Sequence, residues 1–351
     1  MCKSKTHCQD AVDLKKGSVG SILKHSLRLV AWETTRHCNL SCVHCRASAD
    51  NIHYEGELNR AKAFKLMDEI AKVAKPIVIL TGGEPLLRDD IFDIALYGSR
   101  LGLRMVMAPN GTLITKDIAI KMADSGIKRI SVSLDGCEAH THDMFRGIKG
   151  AFERAIRGIN YVKDVGIDFQ INTTITKSNL NQIPLILKLA ENLGAVAHHI
   201  FLLVPTGRGK YIINKAITGE EYETALNWFY DQKDKTSLQL KATCAPHYHR
   251  ILRQRARSEN KSISFETHGL DAVTRGCLAG TGFCFVSHKG IVKPCGYTNV
   301  NCGDITLDSF DNIWENSLVF KELRDLKKVK GKCGRCEYLR VCGETRNTSF
   351  F

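Results

Sequence analysis

Short apolar runs bounded by turn residues recur along the first two thirds of the chain. Each run is rich in β-branched and other apolar residues, which predicts a buried strand. The segments between the runs carry apolar residues at helical spacing and predict helices. The predicted strands are residues 28–34, 77–81, 103–108, 128–134, 167–175 and 198–204, and the predicted helices are 58–74, 90–101, 114–123, 150–165 and 181–193.

This alternation of strand and helix predicts an α/β fold with a parallel sheet and right-handed crossovers. The chain has no dinucleotide-binding fingerprint, and six or more such units favour a full or partial barrel over an open sheet. In such a barrel the functional residues follow the carboxyl ends of the strands. We therefore expect the site at that edge of the sheet.

The pattern changes after about residue 215. A helix is predicted over 220–234, a strand over 238–241 and a basic helix over 247–258, and a loop-rich, Cys-rich region follows from residue 277. We expect four parts: an N-terminal lead over 1–27, a barrel over 28–235, a connecting basic helical segment over 236–276 and a small Cys-rich domain over 277–351.

Composition narrows the class of protein. The 351 residues are 43% apolar and 25% charged, which is typical of a globular chain and excludes a disordered, collagen-like or coiled-coil protein. No apolar run is long enough to span a membrane and the first residues do not resemble a secretory signal, so we expect a cytoplasmic protein. The net charge of +13 is scattered, which argues against a nucleic-acid-binding tail. The charge favours a small acidic substrate, although a basic surface maintained for solubility explains it equally well.

The 14 cysteines raise the question of metal binding, because thiols in a chain without an export signal stay reduced. Cys38, Cys42 and Cys45 follow the first predicted strand with the spacing C-x3-C-x2-C. Three thiolates this close can hold a 4Fe-4S cluster and leave one iron open to another ligand. A zinc site would need a fourth ligand such as His37 or His44, and structural zinc sites usually add a second, distant Cys pair. The spacing therefore favours a cluster.

With Gly82-Gly83-Glu84-Pro85 after the second strand, the three cysteines resemble the radical S-adenosylmethionine (radical SAM) superfamily. The resemblance implies a partial TIM-like (β/α)6 barrel, and a cluster whose open iron is chelated by the amino and carboxylate groups of SAM. It places Gly82, Gly83 and Glu84 along the SAM amino group. A strand-end glycine pair allows close backbone approach, and a carboxylate can hold an ammonium group.

Other polar residues match the superfamily's SAM contacts less specifically. Ser133 and Asp135 end the fourth strand and resemble its ribose contacts, and His44 stands where relatives often carry an aromatic ring that stacks on adenine. Asn110 and Asn172 are weaker candidates. For Ser133, Asp135, Asn110 and Asn172, an ordinary turn or strand residue is the alternative. For His44, the alternative is an exposed side chain that does not stack.

A second group of cysteines resembles the SPASM or twitch extension of radical SAM enzymes, which carries auxiliary 4Fe-4S clusters. A predicted hairpin lies among the first three, and structural zinc is the alternative. Relatives continue with further cysteines where this chain has Gly343-Glu344-Thr345, so we expect a shortened C-terminus and an auxiliary site short of ligands. The candidate ligands are Cys277, Cys284, Cys295, Cys333, Cys336 and Cys342. Cys2, Cys8, Cys137, Cys244 and Cys302 lack cluster spacing and are expected to be ordinary thiols.

Segments outside the shared motifs resemble a narrower family. LRLVAWETTRHCNLSCVHCRA, HIFLLVPTGRG, LKATCAPHYHRILRQRA and RGCLAGTGFCF look like the haem b synthases of the sirohaem-dependent pathway, the AhbD family. The resemblance implies that a 5'-deoxyadenosyl radical drives oxidative decarboxylation of two propionates of Fe-coproporphyrin III (coprohaem) to vinyl groups. It also implies a low-potential electron donor and an electron acceptor, for which an auxiliary cluster is a natural sink. A substrate with four carboxylates suits a basic chain.

The substrate candidates are basic residues. An Arg side chain can pair with both oxygens of a propionate, and a His side chain can ligate haem iron. A solvated basic helix is the alternative. The candidates are Arg208, His247, His249, Arg250 and Arg275.

Three other functions remain open at this point. The first is a sister enzyme acting on a sirohaem-derived or haem d1 precursor, and the second is a SPASM peptide maturase. The third is a non-catalytic iron–sulfur carrier or redox sensor, although the residues that match a SAM pocket, Gly82–Pro85 and Ser133–Asp135, argue against it.

Overall fold

The computed structural model of the chain describes residues 26–264 and 275–343. The predicted N-terminal lead, with Cys2 and Cys8, therefore lies almost entirely outside the described residues.

Seven parallel strands form the central sheet. Each pairs with the next in chain order, so the connections between them are crossovers of one repeated kind. The strands are β1 (Leu29–Thr35), β2 (Ile77–Gly82), β3 (Arg104–Met107), β4 (Arg129–Ser133), β5 (Asp168–Ile175), β6 (Ala197–Leu202) and β7 (Gln239–Thr243). The strands predicted from the apolar runs are confirmed.

The helices cover one face of this sheet. Thr115 and Thr218 cap two of them, and Thr218 forms a capping box with Glu221. The helices are α1 (Arg60–Val73), α2 (Ile91–Arg100), α3 (Lys116–Asp124), α4 (Ala139–Arg146), α5 (Ala151–Asp164), α6 (Ile183–Leu193), α7 (Gly219–Asp231) and α8 (Tyr248–Ser258). Short 3-10 helices span Pro85–Leu87, Leu180–Gln182, Gly207–Lys215 and Leu326–Lys328.

Strand alternation separates an apolar face from a polar face. Trp32, Leu80 and Val132 are fully buried and pack in one core with helix residues such as Leu66 and Ile94. Because successive side chains on a strand point to opposite faces, the positions between them face the inside of the curved sheet. That inner face carries Glu33, Thr81, Ser133, Asn172 and His199. The fold thus surrounds a polar interior with an apolar exterior.

The Cys-rich region continues the same sheet. Strand β8 (Phe283–Val286) pairs in parallel with β1, and β9 (Ile291–Lys293) returns antiparallel to it as a hairpin. Strand β10 (Gly303–Asp304) pairs with β9, and the full order is β10-β9-β8-β1-β2-β3-β4-β5-β6-β7. A closed barrel would need β7 to pair with β1. Because β1 pairs with β2 and β8 instead, and β7 stands at the end of the sheet, the barrel is partial.

Four short helices complete the described residues. They are α9 (Phe310–Asn316), α10 (Leu318–Arg324), α11 (Gly331–Gly334) and α12 (Leu339–Cys342). Phe310 and Trp314 are buried in the main core, and the Phe310 backbone N–H donates to the Glu69 carboxylate on α1 at 2.8 Å. The extension is therefore packed onto the barrel at both the sheet and a helix. No helix in residues 26–264 or 275–343 has the length and apolar character needed to cross a membrane.

Candidate active site

The loop after β1, which we call the cluster loop or three-cysteine loop, holds three free thiols. Cys38 and Cys42 are buried and Cys45 is partly buried. Backbone N–H groups reach two of the sulfurs, from Leu40 to Cys38 Sγ and from Ala49 to Cys45 Sγ, both at 3.4 Å. Burial raises the pKa of Cys38 to about 12, against the effect of the Leu40 N–H. Nearby N–H donors favour thiolates once a metal displaces the protons, so this donor set fits an iron–sulfur cluster.

The same geometry does not favour zinc. Within the described ranges, no three His, Cys, Asp or Glu side chains converge closely enough to hold a single metal ion. An iron–sulfur cluster takes one thiolate at each iron atom, so its ligands stand around a larger group.

A buried Arg on α4 faces the sulfur of Cys42, the second cysteine of this loop. Arg146 Nη1 lies 3.7 Å from Cys42 Sγ, and its Nη2 forms an ion pair with the fully buried Asp135. The other Asp135 oxygen accepts the Thr174 backbone N–H at 2.7 Å. Burial acts to lower the pKa of Arg146, but Asp135 and Cys42 outweigh it and raise it. Asp135, predicted as a ribose contact, thus positions a cation beside the cluster loop.

The sequence analysis did not identify Arg146. Its signal was the segment HDMFRG, in which Gly147 ends α4 in the left-handed conformation with φ of +71°. A Cβ at Gly147 would lie 2.6 Å from the Ser41 carbonyl oxygen, so only glycine lets this helix end pack against the cluster loop.

The Gly82-Gly83 pair packs against the strand that leads into the cluster loop. A Cβ would lie 2.4 Å from the Thr35 carbonyl oxygen at Gly82 and 2.2 Å from the His37 carbonyl oxygen at Gly83. The Gly83 N–H donates to the Thr35 carbonyl at 2.8 Å. The close approach that the sequence predicts is thus made in the structure to the backbone just before Cys38.

Glu84 ties three loops together. Its carboxylate is fully buried and accepts backbone N–H groups from Leu86 at 3.2 Å and Asn110 at 2.6 Å. The Asn110 side-chain amide donates to Asn39 Oδ1 at 2.8 Å, inside the cluster loop. Burial raises the pKa of Glu84 to about 7, against these two N–H groups. The structure therefore gives Asn110 and Glu84 a role in holding the cluster loop.

A row of polar side chains crosses the inner face from β4 to β7. Ser133 is in register with Asn172, Asn172 with His199, and His199 with Lys241. Gln170 joins the row, since its Nε2 lies 2.9 Å from Asn172 Oδ1 and 3.0 Å from His199 Nδ1. Burial lowers the pKa of His199 to about 3, so the ring is neutral at ordinary pH. The row offers neutral hydrogen-bonding groups and ends in one cation.

His44 packs inside the loop. Its ring centroid lies 4.7 Å from that of Phe145, and its Nδ1 is buried with no hydrogen-bond partner. Burial lowers the pKa of His44 to about 4. His44 is therefore not an exposed side chain, and its ring contact in the structure is with Phe145.

Arg208 holds two parts of the cluster loop together through hydrogen bonds. Its Nε donates to the Cys42 carbonyl at 2.8 Å and its Nη1 to the Ala49 carbonyl at 2.7 Å. Gly207 precedes it with φ of +54°, and a Cβ there would lie 2.3 Å from the Cys45 carbonyl oxygen. The sequence interpretation made Arg208 a substrate ligand, whereas the structure engages most of its fork with protein carbonyls.

The basic helix α8 lies beside the Cys-rich region. The residue before Cys342 and the turn before α8 both contact Gly276, whose Cβ would lie 2.6 Å from Pro246. Arg250 pairs with Glu223 at 2.5 Å, and the His247 ring packs on Tyr222 with centroids 4.3 Å apart.

The other two candidates in this region also lie within the protein. His249 is buried on α8. Arg275 lies against Gly343, where a Cβ would lie 2.8 Å from Arg275 Nε. These contacts place His247, His249, Arg250 and Arg275 at the junction with the extension.

An inner ion-pair group connects the two cysteine regions, and the sequence analysis missed it. Glu33 accepts from Arg46 at 2.9 Å and contacts His288 Nδ1 at 2.6 Å. Burial alone would raise the pKa of Glu33, but His288 and Arg46 lower it to about 2. Arg46 also donates to the Gly296 carbonyl at 3.2 Å, next to Cys295. One guanidinium therefore spans the interval from Cys45 to the hairpin.

Cys284 does not face this junction. It is fully buried on β8 in the main apolar core, in register with Val30 on β1. Its neighbouring thiol is Cys302, which together with burial raises the pKa of Cys284. The expectation that Cys284 is an auxiliary ligand thus conflicts with its position, because β8 directs it to the apolar side of the sheet. Cys333 and Cys336 are exposed, and both act together with burial to raise the pKa of Cys342.

Comparison with known families and proteins agrees with this arrangement. The chain matches the radical SAM superfamily over residues 32–190 and the SPASM iron–sulfur cluster-binding domain over residues 277–337. It is 52% identical over 323 residues to the AdoMet-dependent heme synthase of Methanosarcina barkeri, covering 92% of each chain. The AdoMet-dependent heme synthase of Nitratidesulfovibrio vulgaris is also 52% identical, over 92% of this chain and 88% of that one.

More distant relatives share the fold. The Fe-coproporphyrin III synthase of Methanosarcina barkeri is 32% identical over 90% of this chain and 82% of its own. The crystal structure of Streptococcus suis SuiB bound to S-adenosylmethionine aligns with a TM-score of 0.69 at 17% identity, over 90% of this chain and 72% of that one. Native anSMEcpe with bound AdoMet aligns with a TM-score of 0.65 at 20% identity, over 90% and 88%.

Proposed function

The chain belongs to the radical SAM family that contains the AdoMet-dependent heme synthases, and on that basis we propose that it converts Fe-coproporphyrin III to haem b. It is an enzyme whose cofactors are a 4Fe-4S cluster, SAM and an auxiliary iron–sulfur centre. The observation that supports this choice of substrate is the 52% identity to heme synthases over 92% of the chain.

The reaction is an oxidative decarboxylation of two propionates. Each propionate gives up one hydrogen atom from its β-carbon, then carbon dioxide and one electron, and a vinyl group remains. When bound, the cluster and SAM supply reductive cleavage of SAM and with it a radical that can take hydrogen from carbon. We propose a low-potential donor for the first electron and an acceptor for the last.

We propose that Cys38, Cys42 and Cys45 hold the cluster while Arg146 faces the SAM carboxylate. The support is the position of its guanidinium, 3.7 Å from Cys42 Sγ and fixed by the buried Asp135. A guanidinium pairs well with a carboxylate because its planar fork matches both oxygens. Glu84, Gly82 and Gly83 act on the other side by fixing the path of the loop.

The polar row from Ser133 to Lys241 is proposed as the wall that orients the nucleoside and the substrate. Ser133, Asn172 and His199 offer hydrogen bonds without charge, which suits ribose and adenine. Lys241 ends the row as a cation and is exposed, so a substrate carboxylate can reach it. Holding the reacting carbon near the radical and excluding water is the protein's main contribution to such chemistry.

We place the enzyme in the cytoplasm. The 12 cysteines of the described residues are all free thiols, and cluster assembly needs them reduced.

The test is anaerobic turnover of the reconstituted protein with SAM, dithionite and coprohaem. The expected product has lost two carboxyl groups as carbon dioxide, with about two 5'-deoxyadenosine formed per haem b. A Cys42→Ala variant is the control and should form neither product. Normal SAM cleavage beside unchanged coprohaem would replace this substrate with a sister tetrapyrrole or a peptide. Absence of 5'-deoxyadenosine would favour an electron carrier or redox sensor.

A further inference from the structure

The hairpin of the Cys-rich extension contributes two side chains to the inner face of the sheet. Phe285 on β8 is in register with Ala31 on β1, and Lys293 on β9 is in register with Phe285. Ala31 is two residues before Glu33 and so takes the same side of β1. The neighbours of Phe285 on β8 point into the main apolar core, as strand alternation requires. Phe285 and Lys293 therefore belong to the polar interior of the fold.

Arg46 reaches the same phenyl ring from the cluster loop. Its guanidinium carbon lies 4.6 Å from the centroid of the Phe285 ring. Residues in register on neighbouring antiparallel strands have Cβ atoms about 5 Å apart, so Lys293 stands beside the ring that Arg46 covers. A Cβ on Gly296 would lie 3.1 Å from the ring and 3.2 Å from Arg46 Cδ, so a larger residue would crowd this contact. Phe285 thus brings together two cations from distant parts of the chain.

The carboxylate at this place is already paired. Glu33 accepts from Arg46 at 2.9 Å and contacts His288 Nδ1 at 2.6 Å. Arg46 also donates to the Gly296 carbonyl at 3.2 Å. Because a guanidinium has five N–H donors, Arg46 can hold a second carboxylate without releasing Glu33.

Lys293 has no carboxylate partner in the part of the chain that the structure describes. Its Nζ reaches Asn299 Oδ1 at 3.4 Å, which is a long hydrogen bond to a neutral group. The charged groups that act on it are one anion, Glu33, and two cations, Arg46 and Arg36. A partly buried ammonium among like charges is stabilised when an anion binds beside it.

The substrate of the proposed reaction supplies such an anion. Coprohaem carries four propionates, and two of them remain as propionates in haem b. A strong ion pair at a carboxylate that leaves as carbon dioxide would stabilise the ground state and slow its loss. Fixed cations are therefore better placed at the propionates that the reaction leaves intact.

We propose that Lys293 and Arg46 form a carboxylate-binding site for a propionate that stays on the tetrapyrrole. The inference rests on the proposed function for the identity of its ligand. Lys293 binds the propionate as a point charge, and Arg46 binds it through its planar fork. The site lies where the extension meets the cluster loop, and it anchors one edge of the macrocycle in substrate and product alike.

The experiment measures tetrapyrrole binding by the reconstituted full chain under anaerobic conditions. The protein is titrated with haem b and with haem b dimethyl ester, which keeps the iron and the macrocycle but has no free carboxylate, and the Soret band reports binding. A hydrogen bond to a charged group is worth roughly 10- to 100-fold in affinity, and Lys293 is only partly buried, so we expect the low end. Lys293→Met should therefore bind haem b about tenfold more weakly and bind the ester as the wild type does.

Two variants separate the site from general effects of charge and folding. Lys289→Met is the matched control, because it removes the same charge from the exposed turn of the same hairpin and should bind haem b as the wild type does. Lys293→Arg keeps the charge and should keep the preference for haem b over its ester. Coprohaem should lose the same factor as haem b in Lys293→Met, because both carry the retained propionate.

Four results would overturn the site. The first is equal affinity of the wild type and Lys293→Met for haem b, and the second is a wild type that does not prefer haem b to its ester. The third is an equal loss for haem b and its ester, which would indicate disturbed packing. The fourth is a loss for coprohaem alone, since Lys293 would then face a reacting propionate.

Turnover of coprohaem by the wild type is measured separately, so the two proposals can fail independently. If the wild type forms haem b while Lys293→Met keeps full affinity, the site is wrong and the proposed function stands. If the wild type forms no haem b but its preference for free carboxylates depends on Lys293, the proposed reaction is wrong and the carboxylate site stands.

Discussion

The Asp135–Arg146 pair allows a sharp test of how the cluster loop is held. The change is Asp135→Asn, which is nearly the same size and keeps an oxygen to accept the Thr174 N–H. It removes only the charge that faces Arg146. The guanidinium would then remain buried beside Cys42 with no carboxylate partner.

The magnitude follows from burial. The Arg146 side chain is 8% exposed and that of Asp135 is 0% exposed, so water screens the pair little. Removing one partner of a buried pair costs about 3–5 kcal/mol, because an uncompensated charge stays in the interior. The unfolding entropy is about 2.1 cal/mol/K per residue, so a chain of 351 residues changes its melting temperature by about 1.4 °C per kcal/mol, and a fall of roughly 4–7 °C is expected.

The matched control is Asp231→Asn. Its partner Arg255 is 31% exposed and Asp231 itself 41%, so that variant should lose at most about 1 kcal/mol. Both variants are measured by chemical denaturation and thermal melting of the iron-free protein. Adding Arg146→Met to Asp135→Asn should recover part of the loss, because the unpaired charge is removed. A Asp135→Asn protein as stable as the control variant would refute the reasoning. Its KM for SAM should also rise, while iron content is retained.

Three further predictions concern the same loop and its surroundings. Gly83→Ala should prevent assembly of the first cluster, since the new Cβ would lie 2.2 Å from a backbone oxygen, whereas Gly219→Ala, with open space around it, should assemble a normal iron content. The pKa of Glu33 is about 2, against an ordinary value of 4.5. The ionised carboxylate therefore adds about 3 kcal/mol to the free energy of unfolding above pH 4.5, and this stabilisation is lost as pH falls towards 2. Glu33→Gln should therefore flatten the pH dependence of the unfolding free energy across that interval, and equal slopes would contradict the assignment. Arg208→Lys keeps the charge but loses the guanidinium that donates to two loop carbonyls. A chelator should therefore remove iron from this variant several-fold faster than from the control variant Lys210→Gln. Equal rates of iron removal would argue against a role of Arg208 in holding the loop.

Much of the barrel follows from periodicity. The apolar runs and helical spacing located the strands and their helices because each buries one face in a common core. Helix α4 was missed, since its eight residues are largely polar and its ends are set by contact with the cluster loop. Local pattern carries no information about such a contact.

The sequence predicted the three cysteines of the site better than the residues that hold their loop in place. The spacing of Cys38, Cys42 and Cys45 suffices because their separation along the chain limits their separation in space. The same logic fails for Cys284, since both neighbours on β8 are apolar and the sequence does not show which face the thiol takes. Arg208 derives its role from partners far along the chain, which only the folded structure brings together.

Strand β8 is hydrogen-bonded along β1, the strand that leads into the three-cysteine loop. Substrate capture cannot widen or narrow the interval between the two metal regions without breaking a parallel ladder inside the sheet. The electron-tunnelling distance between them is thus set when the chain folds and stays the same in every turnover. Any control over electron flow between these regions must then come from the potentials of the centres themselves.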